Sequence, residues 1–321
     1  MEPEVIVEQQ VARRAAHPSA RDTDAYRLFN GAADGAPPGL VVERYADVLV
    51  VSARAELDAT LVDRWCGALH TVVAPRALVL KRAARAARDS TTRVWCGALD
   101  GPVVVHEHGA RFVCVLDEGQ STGLFLDHRE TRQWVRARAA GLEVLNLFAH
   151  TCSFSVHAAL GGARRVTSVD AARAALKRGR DNMSASGLDP DAHRWFPDDV
   201  LAHLERAARR GDAYGVVILD PPSFGRAGGR VHALGVHLER LVELGLAVLA
   251  PGGHLVFSTH ALELDRASLR ALVRGAAERV GRGVEVEAEL GAPSWDHPPL
   301  AREVAGDRGD YLKTIAVRAT R

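Results

Sequence analysis

The segment Val216–Arg226, VVILDPPSFGR, closes an apolar run with an acid, two prolines and, two residues on, an aromatic. Asp220 supplies a carboxylate acceptor. The Pro221-Pro222 turn is stiff, lacks N–H donors and turns its carbonyls outward. These groups suit a planar nitrogenous acceptor whose N–H bonds need partners, with Phe224 available to stack on its ring. Asp220, Pro221 and Phe224 are therefore the candidate catalytic residues, and Phe224 is also a substrate contact.

Three further loops carry usable chemistry. VLNLFAHTCSFSVHAALGGA runs from a strand through Phe148, His150, Thr151, Cys152 and Ser153 into a helix, whose N-terminal N–H groups can hold a carboxylate or a phosphate. The turn lacks the GxGxxG of a dinucleotide site, which weighs against NAD and FAD. Asp170 ends TSVD, where a carboxylate can accept from both hydroxyls of a ribose, or simply cap a helix. In Phe196–Val200, FPDDV, Asp199 can accept from an adenine amino group or, equally, serve as a cap. Together the three loops describe a nucleoside with a carboxylate-bearing tail, which fits S-adenosylmethionine.

Other residues could meet the substrate. KRAARAAR, from Lys81 to Arg88, spaces Arg82, Arg85 and Arg88 three apart. As a helix this run would put them on one face, as a phosphate grip or as a plain solvated surface. His260 follows a strand end and could act as a base beside the acceptor or bond to backbone. Trp295 could roof the acceptor or pack.

Positioning these groups requires a particular architecture. The 321 residues make about two domains the first expectation. A polar helix is expected over Val5–Ala16, then a hairpin (Leu40–Arg44, Val48–Ala53), a helix (Ala59–Val72), a strand (Ala77–Lys81) and a second hairpin (Val103–His106, Arg111–Leu116). From Glu130 onward, strands and helices alternate strictly, which means βαβ units and a parallel sheet. The last two strands, Val284–Leu290 and Tyr311–Arg318, have no helix between them, so the final strand should run in reverse. The expected fold class is α/β: a seven-stranded Rossmann-like methyltransferase sheet, last strand antiparallel, preceded by a small α+β domain. The expected divisions are a helical extension over 1–23, the α+β domain over 24–116 and the cofactor-binding domain over 117–321.

Composition narrows the classes. A hydrophobic fraction of 47 % with 25 % charged residues is ordinary globular composition, which disfavours disorder. No apolar run approaches the ~20 residues of a membrane span. MEPEVIVEQQVARRAAHPSA lacks the apolar core of a secretory signal, so a cytoplasmic location is expected. Four scattered cysteines without a CxxC pair argue against a disulfide framework or a zinc ribbon, and no metal is expected. The net charge of +1 makes the chain no polycation.

The segment Asp117–Arg132, DEGQSTGLFLDHRETR, resembles the QxTGxFLDxRxxR signature of the bacterial 23S rRNA large-subunit methyltransferase I-like family. The loop at Phe148, the TSVD acid, DPPSF, DHP (Asp296–Pro298) and GDYLK (Gly309–Lys313) are similar to it as well, as is the front segment RLFNGAADGAPPGLVVERYADVLVV. The resemblance spans roughly Tyr26 to Arg318. It implies S-adenosyl-L-methionine as cofactor and RNA as substrate class. It places Gln120, Thr122, Gly123, Arg129, Phe148, Asp170, Asp199 and Asp220 at the cofactor, beside the Thr151 and Ser153 already read from their loop. Two departures stand out. The family's larger members begin with an RNA-binding PUA domain of about 70 residues, and with some 25 residues before the central domain that module is not expected here. Members that methylate cytosine C5 carry a cysteine after the fifth strand, where this chain has Ser258-Thr259-His260. Cytosine C5 needs a thiolate added at C6, so methylation of a nitrogen fits better.

The leading expectation is a methyltransferase acting on a base nitrogen in RNA, namely 23S rRNA. The alternatives are a small-molecule or peptide acceptor, and a non-catalytic RNA-binding assembly factor. The oligomeric state is left open, a homodimer included.

Overall fold

A computed structural model describes residues 2–83, 90–222, 231–299 and 311–320. The chain divides into two compact units, Met1–Asp127 with Pro293–Asp310, and His128–Ala292 with Tyr311–Arg321. Residues 117–127 and 293–299 thus group with the front unit, whereas the sequence suggested a division before Asp117.

In the front unit, α1 (Pro3–Ala16) precedes β1 (Ala25–Asn30), β2 (Leu40–Tyr45), β3 (Val48–Arg54), α2 (Ala59–Val73), β4 (Ala77–Ala83) and β5 (Thr91–Gly97). The five strands pair in chain order, with β3 and β4 parallel because α2 carries the chain back across the sheet. The Asp58 carboxylate accepts from the Leu61 N–H to start α2, and Val62, Trp65 and Leu69 then face the sheet at helical spacing. A separate hairpin, β6 (Val103–Glu107) and β7 (Ala110–Cys114), follows. The run from Lys81, whose arginines would share a face only as a helix, does not begin as one. Lys81–Ala83 continue β4, and Lys81 and Arg82 pair with β5, a strand whose TTRVWCG sequence lies largely exposed and so shows little apolar alternation.

The second unit opens with α3 (Arg129–Arg136) and continues β8 (Glu143–Leu147), α4 (Ser153–Leu160), β9 (Arg165–Asp170), α5 (Arg173–Ala185), β10 (Arg194–Pro197) and α6 (Val200–Arg210). Then come β11 (Tyr214–Leu219), α7 (Val231–Ala247), β12 (Leu249–Thr259), α8 (Arg266–Arg279), β13 (Val284–Leu290) and β14 (Lys313–Ala319). The sheet order is β10-β9-β8-β11-β12-β14-β13. β14 runs antiparallel between β12 and β13, the reversed last strand that the missing crossover helix required.

Central strands such as YGVVIL are apolar on both faces because both faces are covered. Leu145, Val217, Leu219, Leu255 and Phe257 pack toward α6, α7 and α8, while Val144, Val216, Ile218 and Val256 pack toward α3 and α4. Truncating one such leucine to alanine costs about 2–5 kcal/mol. The edge strand β13, VEVEAEL, instead alternates partly buried apolar residues with exposed glutamates.

Candidate active site

In the second unit the chain order reverses between β8 and β11, so the carboxyl ends of these neighbouring strands frame the crevice where open α/β sheets hold ligands. Past β8 the backbone winds tightly. Phe148, His150 and Cys152 all take left-handed conformations (φ 56°, 47° and 63°), each uncommon for a side-chain-bearing residue.

Several contacts hold this loop. The Asp170 Oδ2 accepts from the His150 N–H at 2.8 Å, and Oδ1 accepts from the Ala172 N–H at 2.8 Å. The buried Asn182 side chain on α5 donates to the Thr151 carbonyl at 2.9 Å. Below, Asn146 donates to Ser155 Oγ, which bonds Ser168 Oγ, each at 2.8 Å, tying β8, α4 and β9 together. Gly179 of α5 leaves room for Cys152, whose Sγ a Cβ at that position would strike. Burial pushes the His150 imidazole below its ordinary value, against the pull of Asp170.

Asp170 therefore shapes the loop with one hydrogen bond to each oxygen, and each oxygen keeps a lone pair for a hydroxyl. It is not the N-cap of α5, which is Ala172. Asp199 does cap α6, accepting from the Ala202 N–H at 2.8 Å through Oδ1. Ser153 is the first residue of α4, and Thr151 is buried just ahead of it.

Asp220 follows β11, partly buried, with Pro221 buried beyond it. Its Oδ2 lies 3.2 Å from Nε2 of His128. His260, past the end of β12, places its ring 5.6 Å from that of His128, and it stacks on Tyr311 at 6.0 Å. Arg129 starts α3 and is buried. Phe224, Arg85 and Arg88 lie outside the described residues.

The remaining residues singled out in the sequence belong to the front unit. Thr122 is buried, with Oγ1 2.8 Å from the Tyr45 hydroxyl, and Gly123 has φ 97°, which a glycine adopts without strain. The buried Lys81 ammonium donates to the carbonyls of Glu118, Gly119 and Gln120, at 3.4, 3.0 and 3.5 Å, and so holds the turn that carries Gln120. Arg82 is not on a helical face. It sits on β4, where its guanidinium donates to the carbonyls of Ala55 and Leu57 at 3.0 and 2.7 Å. Trp295 stacks on His17 at 5.0 Å and tilts against Tyr26.

Sequence reasoning passed over His128, Asn182 and the Asn146–Ser155–Ser168 chain. His128 occupies an unspecified position of the QxTGxFLDxRxxR pattern, so the pattern itself gave no reason to single it out.

The model of the S-adenosylmethionine-dependent methyltransferase family matches residues 52–266. The chain belongs to that family. It is 32 % identical over 303 residues to the ribosomal RNA large subunit methyltransferase I of Aeromonas salmonicida, covering 92 % of this chain and 74 % of that one. To a ribosomal RNA large subunit methyltransferase of Deinococcus radiodurans it is 37 % identical over 273 residues, 81 % of this chain and 65 % of that one. Among solved structures, SMU.776, a methyltransferase candidate complexed with SAH, superposes with a TM-score of 0.83 at 27 % identity over 98 % of this chain and 80 % of that one.

The methyltransferase uses S-adenosylmethionine, and its strand ends fit that group. The β9 acid keeps lone pairs for hydroxyls, and the wound loop after β8 leads directly into the N-terminus of α4. Cys152 is fully buried among Ala149, Leu176 and Trp195, and burial pushes its thiol up to about 12, so no thiolate forms there at neutral pH. Cys152→Ser should accordingly keep methyl transfer within a few-fold of the parent, its hydroxyl reaching the His150 carbonyl that Sγ now faces at 3.5 Å. A covalent adduct with 5-fluorocytosine RNA that disappears in Cys152→Ser would contradict this.

Proposed function

We propose that this methyltransferase modifies a base nitrogen in large-subunit ribosomal RNA. The observation that carries the reading is a proline-stiffened carboxylate, Asp220, at the carboxyl end of the central strand β11, in a chain with no cysteine after Cys152. Such a turn offers acceptors to N–H groups and no thiolate for addition to a pyrimidine. The relatives named as large-subunit rRNA methyltransferases support the substrate class.

Bound S-adenosylmethionine supplies an electrophilic methyl group on a sulfonium. In this reading Asp170 receives the ribose hydroxyls, and Asp199 accepts from the adenine amino group with the oxygen that does not cap α6. Arg129, Phe148, Thr151 and Ser153 complete the cofactor's surroundings within the second unit. Asp220 and the Pro221 carbonyl hold the acceptor's N–H groups, and Phe224 stacks on its ring. Alignment of nitrogen with methyl group then supplies most of the rate.

Asp170→Ala should weaken SAH binding by about 1.5–3 kcal/mol, the worth of hydrogen bonds to a charged group. Calorimetry giving an unchanged affinity would remove Asp170 from the cofactor site. The function itself is tested by nucleoside mass spectrometry of 23S rRNA from a deletion strain. One methylated nucleoside should vanish and return on complementation, and identical profiles would refute the RNA reading.

A small-molecule acceptor is the competing reading, favoured by the net charge of +1 and by the engagement of Arg82 with backbone carbonyls. Salt separates the two, because RNA affinity falls steeply with ionic strength and affinity for a neutral small acceptor does not.

A further inference from the structure

The side chain of His128 is buried to 1 % exposure at the start of α3, where no cofactor or substrate role had been assigned to it. Its Nε2 lies 3.2 Å from the Asp220 carboxylate. Phe154 of α4 meets the ring edge-on at 5.3 Å and the His260 ring approaches at 5.6 Å, so the imidazole is held in place. Among the described residues neither ring nitrogen makes a well-aligned hydrogen bond, Nε2 lying only within ion-pair distance of Asp220. A buried imidazole with neither nitrogen hydrogen-bonded, one of them facing a carboxylate at 3.2 Å, carries a desolvation cost that packing alone does not require.

We propose that His128 is a positioning residue for methyl transfer: with its proton on Nε2 it orients Asp220, whose carboxylate takes the proton released from the acceptor nitrogen. This rests on the reading that Asp220 faces the acceptor. The step balances within the site. The nitrogen lone pair bonds the methyl carbon, the carbon–sulfur bond breaks with its pair left on sulfur, and the N–H proton passes to Asp220 beside His128 and on to water. The acceptor is therefore a nitrogen that carries hydrogen. The groups facing His128 are Asp220 at the end of β11 and His260 beyond β12, with Tyr311, ahead of β14, stacked on His260. Phe154 of α4 is uncharged, Arg129 follows His128 in the chain, and a carboxylate oxygen of the preceding Asp127 lies within 4.8 Å of a His128 ring nitrogen.

Two variants test whether the donor on His128 orients Asp220. His128→Gln keeps an N–H donor near the position of Nε2 but does not titrate, and His128→Phe keeps the ring volume without a donor. The substrate is 23S rRNA purified from the deletion strain, with labelled S-adenosylmethionine under single-turnover conditions. His128→Phe should lose about 10²-fold in rate, His128→Gln, which keeps the donor, should retain most of it, and SAH affinity should stay unchanged in both. A His128→Phe enzyme with the parent's rate, or a His128→Gln enzyme as slow as His128→Phe, overturns the proposal. Nitrogen-15 spectra of the parent's imidazole provide a check without any acceptor. His128 should carry its proton on Nε2, and Asp220→Asn should shift that resonance, whereas an Nδ1–H tautomer indifferent to Asp220→Asn overturns it. If Asp220→Asn abolishes SAH binding, or the rRNA takes no methyl group, the underlying reading fails instead, and the spectra still report on the pair.

Discussion

Asp220→Ala should lower kcat by about 10²–10³-fold, the usual consequence of removing one preorganised hydrogen-bonding group that acts in the transition state, while SAH affinity remains essentially unchanged. The carboxylate ends β11 at the point where the sheet's chain order reverses, and His128 lies 3.2 Å from it. Pro221 and Pro222 follow at once, and although their carbonyls can accept hydrogen bonds, neither carries the missing charge. The effect should therefore fall on turnover. Phe224→Ala should instead raise the acceptor's KM by the ~1–3 kcal/mol that stacking one base contributes. Stopped-flow methylation together with SAH calorimetry makes the separation. An Asp220→Ala protein that no longer binds SAH but retains the acceptor's affinity would assign the turn to the cofactor.

The largest loss of stability should come from a pair remote from this chemistry. Arg14 of α1 and Asp34 have fully buried side chains and lie 2.6 Å apart. Arg14 also donates to the carbonyls of Arg27 (3.0 Å), Trp295 and Asp296, and Asp34 accepts from the Asn30 N–H at 2.8 Å. The pair thus fastens α1 and the segment around Trp295 to the end of β1, within the front unit. Asp34→Ala leaves a guanidinium buried without its carboxylate, which costs about 3–5 kcal/mol. Urea unfolding of the front unit should show a lower midpoint at constant slope. Replacing both partners by apolar residues, Arg14→Met with Asp34→Leu, should cost less than Asp34→Ala alone, since no unpaired charge then remains. A loss below about 1 kcal/mol in Asp34→Ala, the range of a solvated surface pair, would show that the pair is hydrated.

Much of this protein was readable in one dimension. Strands such as Glu143–Leu147 and Val284–Leu290 and the helix Ser153–Leu160 appear where their periodicity put them, because a buried face imposes its own spacing on the chain. The reversed last strand also followed from chain order alone: a connection without a helix cannot easily join parallel neighbours. The acids at strand ends were visible because an open α/β sheet offers its ligands one edge, and that edge is where its strands stop.

Local pattern was a poor guide wherever a residue's role depends on what lies across the fold. Thr91–Gly97 is a strand because β4 offers it hydrogen bonds, not because its own residues alternate. The basic run from Lys81 has helical spacing, yet strand pairing prevails at its start and commits Lys81 and Arg82 to backbone carbonyls. Asp170 looked like a cap or a ribose acceptor, and only the folded chain shows it gripping a loop with three left-handed residues. Arg14 beside Asp34 and His128 beside Asp220 are the extreme cases. Charge and hydrogen-bonding capacity can be read from a residue's type, but the partner that satisfies a buried polar group is chosen by tertiary contact, over chain separations that no spacing rule spans.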